Sequence, residues 1–295
     1  MNKFKKFSIP YLVWMIVFTG IPLILMLIFA VSTIESFSIS TFSFSDYQFN
    51  FANFKMLVDN SFLKAFFRSM LYAGLATIFA LLLGYPIAYF ISRSKFKNKY
   101  LILLIFIIPM WTNMLLRIQT TNNLLSENSI FANILIDVFG ERNIFSKFVD
   151  LIINFCKPKG FRIVLVMTFV YLPFMIFPIY TVLEKIDKSI YEASNDLGAG
   201  AVKTFFKVTF PNTTKGIYSG IMMVFLPAAM GFTIPEIVTG KDPNYALVGS
   251  LIERQFKSSH IKYNIGSMWS LIIIIFVLGS LYIISKIDED GETLL

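Results

Sequence analysis

Long apolar runs divide this chain and limit what it can fold into. The runs are predominantly apolar and cover residues 9–31, 66–92, 99–116, 161–183, 216–237 and 265–286. An α-helix needs about 20 such residues to cross the hydrocarbon core of a bilayer. Hydrophobic residues make up 56% of the chain and charged residues only 15%, against about 25% charged in soluble domains. The sequence predicts an all-α polytopic membrane protein, one domain over residues 1–295 with six transmembrane helices.

Charge placement predicts which segments face the cytoplasm. Six spans put both termini on one side, together with residues 93–99 and 189–211. Lys and Arg divide evenly, 13 on each side, but four of them crowd into the short turn 93–99. Short loops carry the positive-inside signal, so we expect cytoplasmic termini. The apolar run at 9–31 is too long for a cleaved signal peptide and is read as a span. Two short helices are expected outside, at 129–139 and 146–156.

The polar stretch 189–211 reads as a compact helical elbow. Ser189 and Glu192 have the spacing of a capping box, which satisfies two backbone N–H groups at a helix start. Gly198 suits the left-handed residue that ends such a helix. A second helix is expected from about 201 to 209, stopped by Pro211. A membrane protein has little structural need for such an elbow, so we interpret it as a docking surface.

Motifs for chemistry are missing from the chain. Gly240 and Lys241 lack the first glycine and the Ser or Thr of a phosphate-binding loop, so the sequence predicts no ATP site and no bound cofactor. With one cysteine and one histidine, Cys156 and His260, it offers no metal cluster, disulfide or catalytic triad. The net charge of +8 is explained by cytoplasmic loops without nucleic acid. Transport is favoured over catalysis; a polytopic enzyme or an ATP-independent carrier is the alternative.

A substrate path is suggested by prolines and polar side chains within the spans. The prolines lie at Pro86, Pro109, Pro173, Pro178, Pro227 and Pro235. Each frees a backbone carbonyl that needs a partner helix, a polar side chain or cavity water. They are expected to interrupt the fourth span at Pro173 and Pro178 and to break the fifth at Pro227 and Pro235. Kinks that serve only helix packing would explain these prolines as well as kinked helices that line a path which opens and closes.

Five side chains are candidates for lining that path. Glu236 would attract a cation, and aromatic faces would assist through cation–π contact. The aromatic and amide candidates are Trp111, Asn113, Tyr171 and Tyr180. Two alternatives stay open: Glu236 as a solvated helix end and Trp111 as an interfacial anchor.

The elbow carries a family signature. ABC importer permeases have a cytoplasmic motif of the form E-A-A-x3-G-x9-I-x-L-P. Here it is matched by Glu192-Ala193-Ser194, Gly198, Val208 and Phe210-Pro211 with the same spacing. Ser194, Val208 and Phe210 depart mildly from it. The chain resembles this family.

Further stretches resemble the spermidine/putrescine importer permeases. They include Trp111-Thr-Asn113-x-x-x-Arg117, Leu83-Gly-Tyr-Pro-Ile-Ala-Tyr89 and Tyr171-Leu-Pro-Phe-Met-Ile-Phe-Pro-Ile-Tyr180. The family also has an acidic residue near Glu236. One departure is the polar stretch 119–123, where the family stays apolar.

The resemblance implies an assembly and a cycle. It implies a type I, MetI-like permease fold in a bacterial inner membrane, paired with a second, similar permease. A cytoplasmic ATPase dimer would use ATP, and an external binding protein would deliver substrate. The ATPase contact is expected at Ser189, Glu192, Ala193, Ser194, Gly198, Ala199 and Pro211. Glu192 has two open roles, as a helix cap or in a salt bridge to the ATPase. Import of another small cationic or organic solute is the alternative to polyamines.

Overall fold

The computed structural model of the protein describes residues 2–33, 48–94, 98–126, 157–257 and 262–292. The described chain is helical apart from short connections and one isolated bridge between Ser32 and Phe49. The two helices expected at 129–139 and 146–156 lie outside the described residues, as do Cys156 and His260. The chain divides into two compact units, residues 1–66 with 248–280, and residues 67–247 with 281–295.

The helices follow the apolar runs. In chain order they are α1 (Asn2–Met15), α2 (Ile21–Ala30), α3 (Asn60–Arg93), α4 (Lys99–Ile107), α5 (Met114–Leu124), α6 (Lys159–Lys185), α7 (Lys188–Asp196), α8 (Thr214–Met230), α9 (Thr233–Thr239), α10 (Val248–Lys257) and α11 (Tyr263–Glu292). A wide turn, Ile16–Gly20, joins α1 to α2 without interrupting the helical path. Short helical turns lie at Phe51–Leu57, Ile108–Trp111 and Pro243–Tyr245.

Among the described residues, four helices are long and apolar enough to cross a membrane: Ile9–Ala30, Asn60–Arg93, Lys159–Lys185 and Tyr263–Tyr282. Two bent pairs also qualify if each is counted as one span, which gives up to six. The first pair, Lys99–Trp111 with Met114–Leu124, bends by 105°, and the second, Thr214–Met230 with Thr233–Thr239, by 59°. The count of six and the cytoplasmic side of the termini remain predictions.

The prolines bend the chain at other places than expected. The interruption expected at Pro173 and Pro178 is wrong, because both lie buried inside the continuous α6. Neighbouring helices that pack on a transmembrane helix compensate for a missing hydrogen bond. The breaks expected at Pro227 and Pro235 are wrong, because both prolines lie inside helices; the chain breaks instead at Gly231, which is extended with ψ 135°. Its N–H still donates to the Pro227 carbonyl, 2.9 Å away, so the turn before the break keeps its hydrogen bond.

The unit of residues 1–66 and 248–280 is held by a buried amide. The Asn53 side chain donates to the carbonyls of Ala30 and Ser32, at 3.0 and 2.8 Å. Its oxygen accepts from the Asn264 amide, 3.4 Å away. Asn53 thereby joins the end of α2 to the start of α11. Nearby, the Trp269 ring stacks on Phe62 with centroids 5.1 Å apart.

The unit of residues 67–247 and 281–295 is built around α6. Small residues on α3, among them Ala73, Ala76 and Ala80, are fully buried in its core. The helix α8 packs along α6 through Gly216 and Gly220. A Cβ at Gly216 would lie 2.9 Å from the Pro178 carbonyl oxygen, and one at Gly220 would lie 2.7 Å from the Met175 sulfur. The absence of a side chain at both glycines lets the two helices approach closely.

Gly216→Ala is expected to destabilise the protein, since the new methyl group meets rigid backbone. Overpacking of this kind costs about 1–3 kcal/mol. Gly220→Ala should cost less, because the flexible Met175 side chain can move away. Gly279→Ala is the matched control, as its Cβ meets nothing within 4 Å. Thermal unfolding in detergent micelles measures all three. Equal midpoints for Gly216→Ala and Gly279→Ala would contradict the contact.

Candidate functional site

In the structure the elbow extends slightly beyond the expected stretch and comprises residues 187–212. It begins at a different cap from the one expected. The helix α7 starts at Lys188, and its N-cap is Asp187, whose carboxylate accepts from the Ser189 N–H at 3.0 Å. The predicted capping box of Ser189 and Glu192 is therefore wrong. Asp and Ser cap equally well, and with Asp187 two residues earlier the helix starts there. Glu192 then lies past the first turn, exposed, which leaves it no capping role.

Hydrogen bonding to the cap makes the elbow sensitive to acid. The backbone N–H of Ser189, then its hydroxyl, hold the pKa of Asp187 below its ordinary value of 3.8. A carboxylate with a lowered pKa stabilises the folded helix above its unfolded pKa. The cap is thus fully present at neutral pH and is lost as the pH falls through the lowered pKa.

Gly198 ends α7 as expected. Its φ is +71°, in the left-handed region that favours glycine. The Ala199 N–H donates to the Ser194 carbonyl at 3.0 Å, and the Gly198 N–H to that of Asn195 at 2.8 Å. These two bonds form a Schellman motif. A Cβ at Gly198 would meet no atom of the described residues within 4 Å, so among these residues only the backbone geometry requires glycine.

The second limb of the elbow runs past the expected stop. It comprises Ala201–Thr204, a wide turn at Phe205–Thr209, and Phe210–Asn212. Pro211 therefore lies inside the helical path, and the prediction that it ends the helix is wrong. The Phe210 N–H reaches back five residues to the Phe205 carbonyl. We attribute the tolerance of Pro211 to this widening, since a proline ring clashes with the carbonyl four residues earlier in a regular α-helix.

A buried hydroxyl pair joins the two limbs. The side-chain oxygens of Ser194 and Thr204 lie 2.9 Å apart, and both residues are buried. Ser194 stands where the family motif has alanine. Its hydroxyl makes a contact that alanine lacks, so Ser194 supports the elbow from within and is not on its surface.

The elbow is fixed to the end of α3 by an aromatic contact. The Arg93 guanidinium lies 3.3 Å from the centre of the buried Tyr191 ring. Cation–π contacts favour this stacking of Arg on Tyr. The Tyr85 hydroxyl lies 2.9 Å from that of Thr213, and the Phe205 ring packs edge-on against Tyr85 at 5.7 Å. Sequence reasoning missed these anchors, although aromatics at 85 and 89 share one helical face and were a usable signal.

Large apolar side chains remain exposed on the elbow. Leu197 is 85% exposed, Val202 73% and Phe206 64%. The expected contact residues Ser189, Glu192, Ala193, Gly198 and Pro211 are exposed as well, and Ala199 is half-buried. Exposed apolar side chains in a segment too polar to lie in lipid are typical of a protein docking surface.

The path candidates fall into separate places. Trp111, which is 87% exposed, and Asn113 lie at the break between α4 and α5. The Asn113 side chain caps α5 by accepting from the Leu115 N–H at 2.8 Å. Nearby, the Arg117 guanidinium spans the bend by donating to the Pro109 carbonyl at 3.1 Å. Asn113 therefore has a structural role in shaping the bend.

Tyr171 lies on α6 beside the second broken pair of helices, α8 and α9. It is buried on α6, its hydroxyl is 3.5 Å from the Pro227 carbonyl, and it interacts electrostatically with Arg117. Glu236 lies half-buried in the first turn of α9, and α9 packs against α5 and α6. Tyr180 lies nine residues further along α6, about 13 Å from Tyr171 at 1.5 Å per residue. The described residues contain no group of His, Cys, Asp or Glu that could hold a metal ion.

Comparison with known proteins gives a consistent result. Residues 76–286 match the family described as binding-protein-dependent transport system inner membrane component. The chain is 31% identical over 256 residues to the spermidine/putrescine transport system permease PotB of Haemophilus influenzae, covering 86% of this chain and 84% of that protein. It is also 31% identical over 214 residues to PotB of Escherichia coli, covering 72% and 74%.

The fold agrees with a solved transporter. A bacterial ABC transporter involved in import of the acidic polysaccharide alginate superposes with a TM-score of 0.70 at 15% identity, covering 96% of this chain and 95% of that one. The expected ABC importer permease fold is thereby confirmed. The chain belongs to the family of binding-protein-dependent transport system inner membrane components and is a multi-pass inner membrane protein.

Proposed function

We propose that this chain is the permease subunit of an ATP-driven ABC importer that moves polyamines, spermidine or putrescine, into the cell. The observation that carries the substrate is the 31% identity over 86% of the chain to a spermidine/putrescine permease. Another small cationic or organic solute is the second candidate. It is favoured by the polar residues 119–123, where the spermidine/putrescine permeases stay apolar.

In this proposal the chain works as one part of a larger assembly. Two copies of a separate ATPase bind and hydrolyse ATP on the cytoplasmic side, a second similar permease completes the path, and an external binding protein delivers substrate. The chain itself binds no cofactor and catalyses no reaction. The family's dependence on a binding protein supports the last of these partners.

The elbow is proposed to transmit the movement of the ATPase. Glu192, Ala193, Gly198 and the exposed side chains of Leu197 and Val202 would enter the partner's surface. Four contacts make the elbow stiff enough to transmit a displacement: the Asp187 cap, the Schellman motif, the Ser194–Thr204 pair and the Arg93–Tyr191 stack. A rigid element that packs on helix ends passes a displacement to them as a whole.

The substrate is proposed to pass beside the two broken helices. Glu236 would neutralise an ammonium group, and Trp111, Tyr171 and Tyr180 would offer aromatic faces or hydroxyls. Asn113 would act by shaping the bend. The bends of 105° and 59° are the places where the path would change between its outward and inward states.

Uptake of radiolabelled spermidine and putrescine tests the function. Cells that lack this chain should lose uptake and regain it with the wild-type chain. Deleting the ATPase should also abolish uptake, whereas an ATP-independent carrier would keep it. Unchanged polyamine uptake in cells without the chain, with loss of another organic cation, would favour the second candidate.

A further inference from the structure

The elbow end of α6 carries a carboxylate whose charge partner is held beside it. Glu184 lies in the last turn of α6, three residues before the Asp187 cap. The Lys99 ammonium is 3.6 Å from the nearer Glu184 oxygen, which is beyond good hydrogen-bond distance. Its short bond, at 2.6 Å, goes to the Ser92 carbonyl. Lys99 thus compensates the charge of Glu184 while leaving its oxygens open to a stronger donor.

One turn earlier, a buried hydroxyl points to the same carboxylate. Tyr180 is only 3% exposed, and its hydroxyl has no hydrogen-bond partner within the described structure. The hydroxyl faces the Glu184 carboxylate but makes no well-directed hydrogen bond to it. An unpaired polar group at such burial is costly and marks a place where a ligand, ion or water is missing. A donor lying between Glu184 and Tyr180 would satisfy both groups.

The two side chains remain open enough for a ligand to enter. Glu184 keeps 34% of its side chain exposed and Lys99 keeps 26%. The Lys99 side chain is itself a primary ammonium on an alkyl chain, the same chemistry as the end of a polyamine. Glu184 and Tyr180 therefore offer two oxygen acceptors, and Lys99 already places beside them an ammonium group like that of the proposed substrate.

We propose that Glu184 and Tyr180 form a binding site for a substrate ammonium group, with Lys99 as a built-in competitor. The inference rests on the proposed polyamine function. An arriving ammonium donates to Glu184 and Tyr180 and displaces Lys99 from Glu184, while Lys99 keeps its hydrogen bond to the Ser92 carbonyl. When the substrate leaves, Lys99 restores the charge balance. Such a site holds the substrate weakly at the elbow end of the path, where release has to occur.

Removing the acceptors and removing Lys99 should change substrate binding in opposite directions, which a purely structural ion pair would not do. Glu184→Gln and Tyr180→Phe should weaken polyamine binding, whereas Lys99→Met should strengthen it. Because an ion pair this exposed contributes little, each variant should change the dissociation constant for spermidine by about fivefold at most. Lys55→Met, which removes an exposed lysine outside the elbow, is the control and should change nothing.

The measurement uses the whole transporter in lipid nanodiscs. Equilibrium binding of radiolabelled spermidine is compared between the wild type and the variants, with thermal unfolding as a check on folding. If Glu184→Gln and Lys99→Met weaken binding alike, the two residues form a structural ion pair and the site is refuted. The site is also refuted if the double variant Lys99→Glu with Glu184→Lys binds spermidine as the wild type does. If the wild type binds and transports no polyamine, the proposed function fails, and the site fails with it for that distinct reason.

Discussion

Gly198→Val is expected to abolish spermidine uptake while the amount of membrane-inserted protein stays the same. A non-glycine residue in the left-handed region costs about 1–2 kcal/mol, and a β-branched side chain is the least suited to it. The Schellman bonds to Ser194 and Asn195 would be lost, and Leu197 would leave its place on the docking surface. Insertion depends on the apolar spans, which the substitution does not touch. Uptake and quantitative immunoblotting of membranes measure the two quantities.

Two further variants identify the cause of the loss. Gly200 lies on the same elbow, also faces open space, and has an ordinary φ of −68°. Gly200→Val should therefore keep most of the uptake. Gly198→Asn adds bulk but tolerates the left-handed region. If Asn restores uptake, the backbone conformation is what matters. If Asn fails as valine does, close approach of the partner also matters. Full uptake in Gly198→Val would refute the coupling role.

Tyr191→Ala is expected to lower the amount of spermidine transported per ATP hydrolysed by about tenfold. Arg93 is exposed, so its cation–π contact is worth about 0.5–1 kcal/mol, and the substitution also removes the packing of the buried Tyr191 ring. Without the ring, Arg93 no longer holds α7 to α3. The ATPase would then move an elbow that is detached from the membrane helices. Coupled uptake and phosphate release in proteoliposomes measure the ratio.

The matched variants test whether the stack is responsible. Tyr191→Phe keeps the ring and should transport close to the wild type, whereas Arg93→Gln keeps a polar side chain but removes the cation. If the stack carries the coupling, Arg93→Gln combined with Tyr191→Ala should be no worse than either alone. Additive losses would show that the two residues act through separate contacts.

The sequence predicted the positions of the helices better than the places where they break. Apolar runs located the helices because each needs about 20 apolar residues to cross a bilayer. The same reasoning misplaced the breaks, as Pro173 and Pro178 lie in an unbroken helix while Gly231 interrupts the next one. Whether a proline kinks a helix depends on what packs against its freed carbonyl, and that information is not local.

The elbow shows the same limit. The spacing from Glu192 to Pro211 identified the segment because the motif is local, and Gly198 followed from the chemistry of helix ends. The capping residue was misassigned, since Asp187 and Ser189 are both good caps and local sequence does not choose between them. The Arg93–Tyr191 stack joins residues 98 positions apart, which a sequence without an alignment does not pair.

The length of α3 has a consequence for where force enters the molecule. Its 34 residues extend about 51 Å at 1.5 Å per residue, whereas a hydrocarbon core is about 30 Å thick. The apolar run 66–92 accounts for most of this length, so the surplus lies at the Asn60 end, and Arg93 follows the apolar run directly. Because Arg93 is the last residue of α3 and holds Tyr191, α3 would act as a strut that fixes the elbow beside the membrane. A partner that pushes on the elbow would deliver its force to a helix that continues into the membrane.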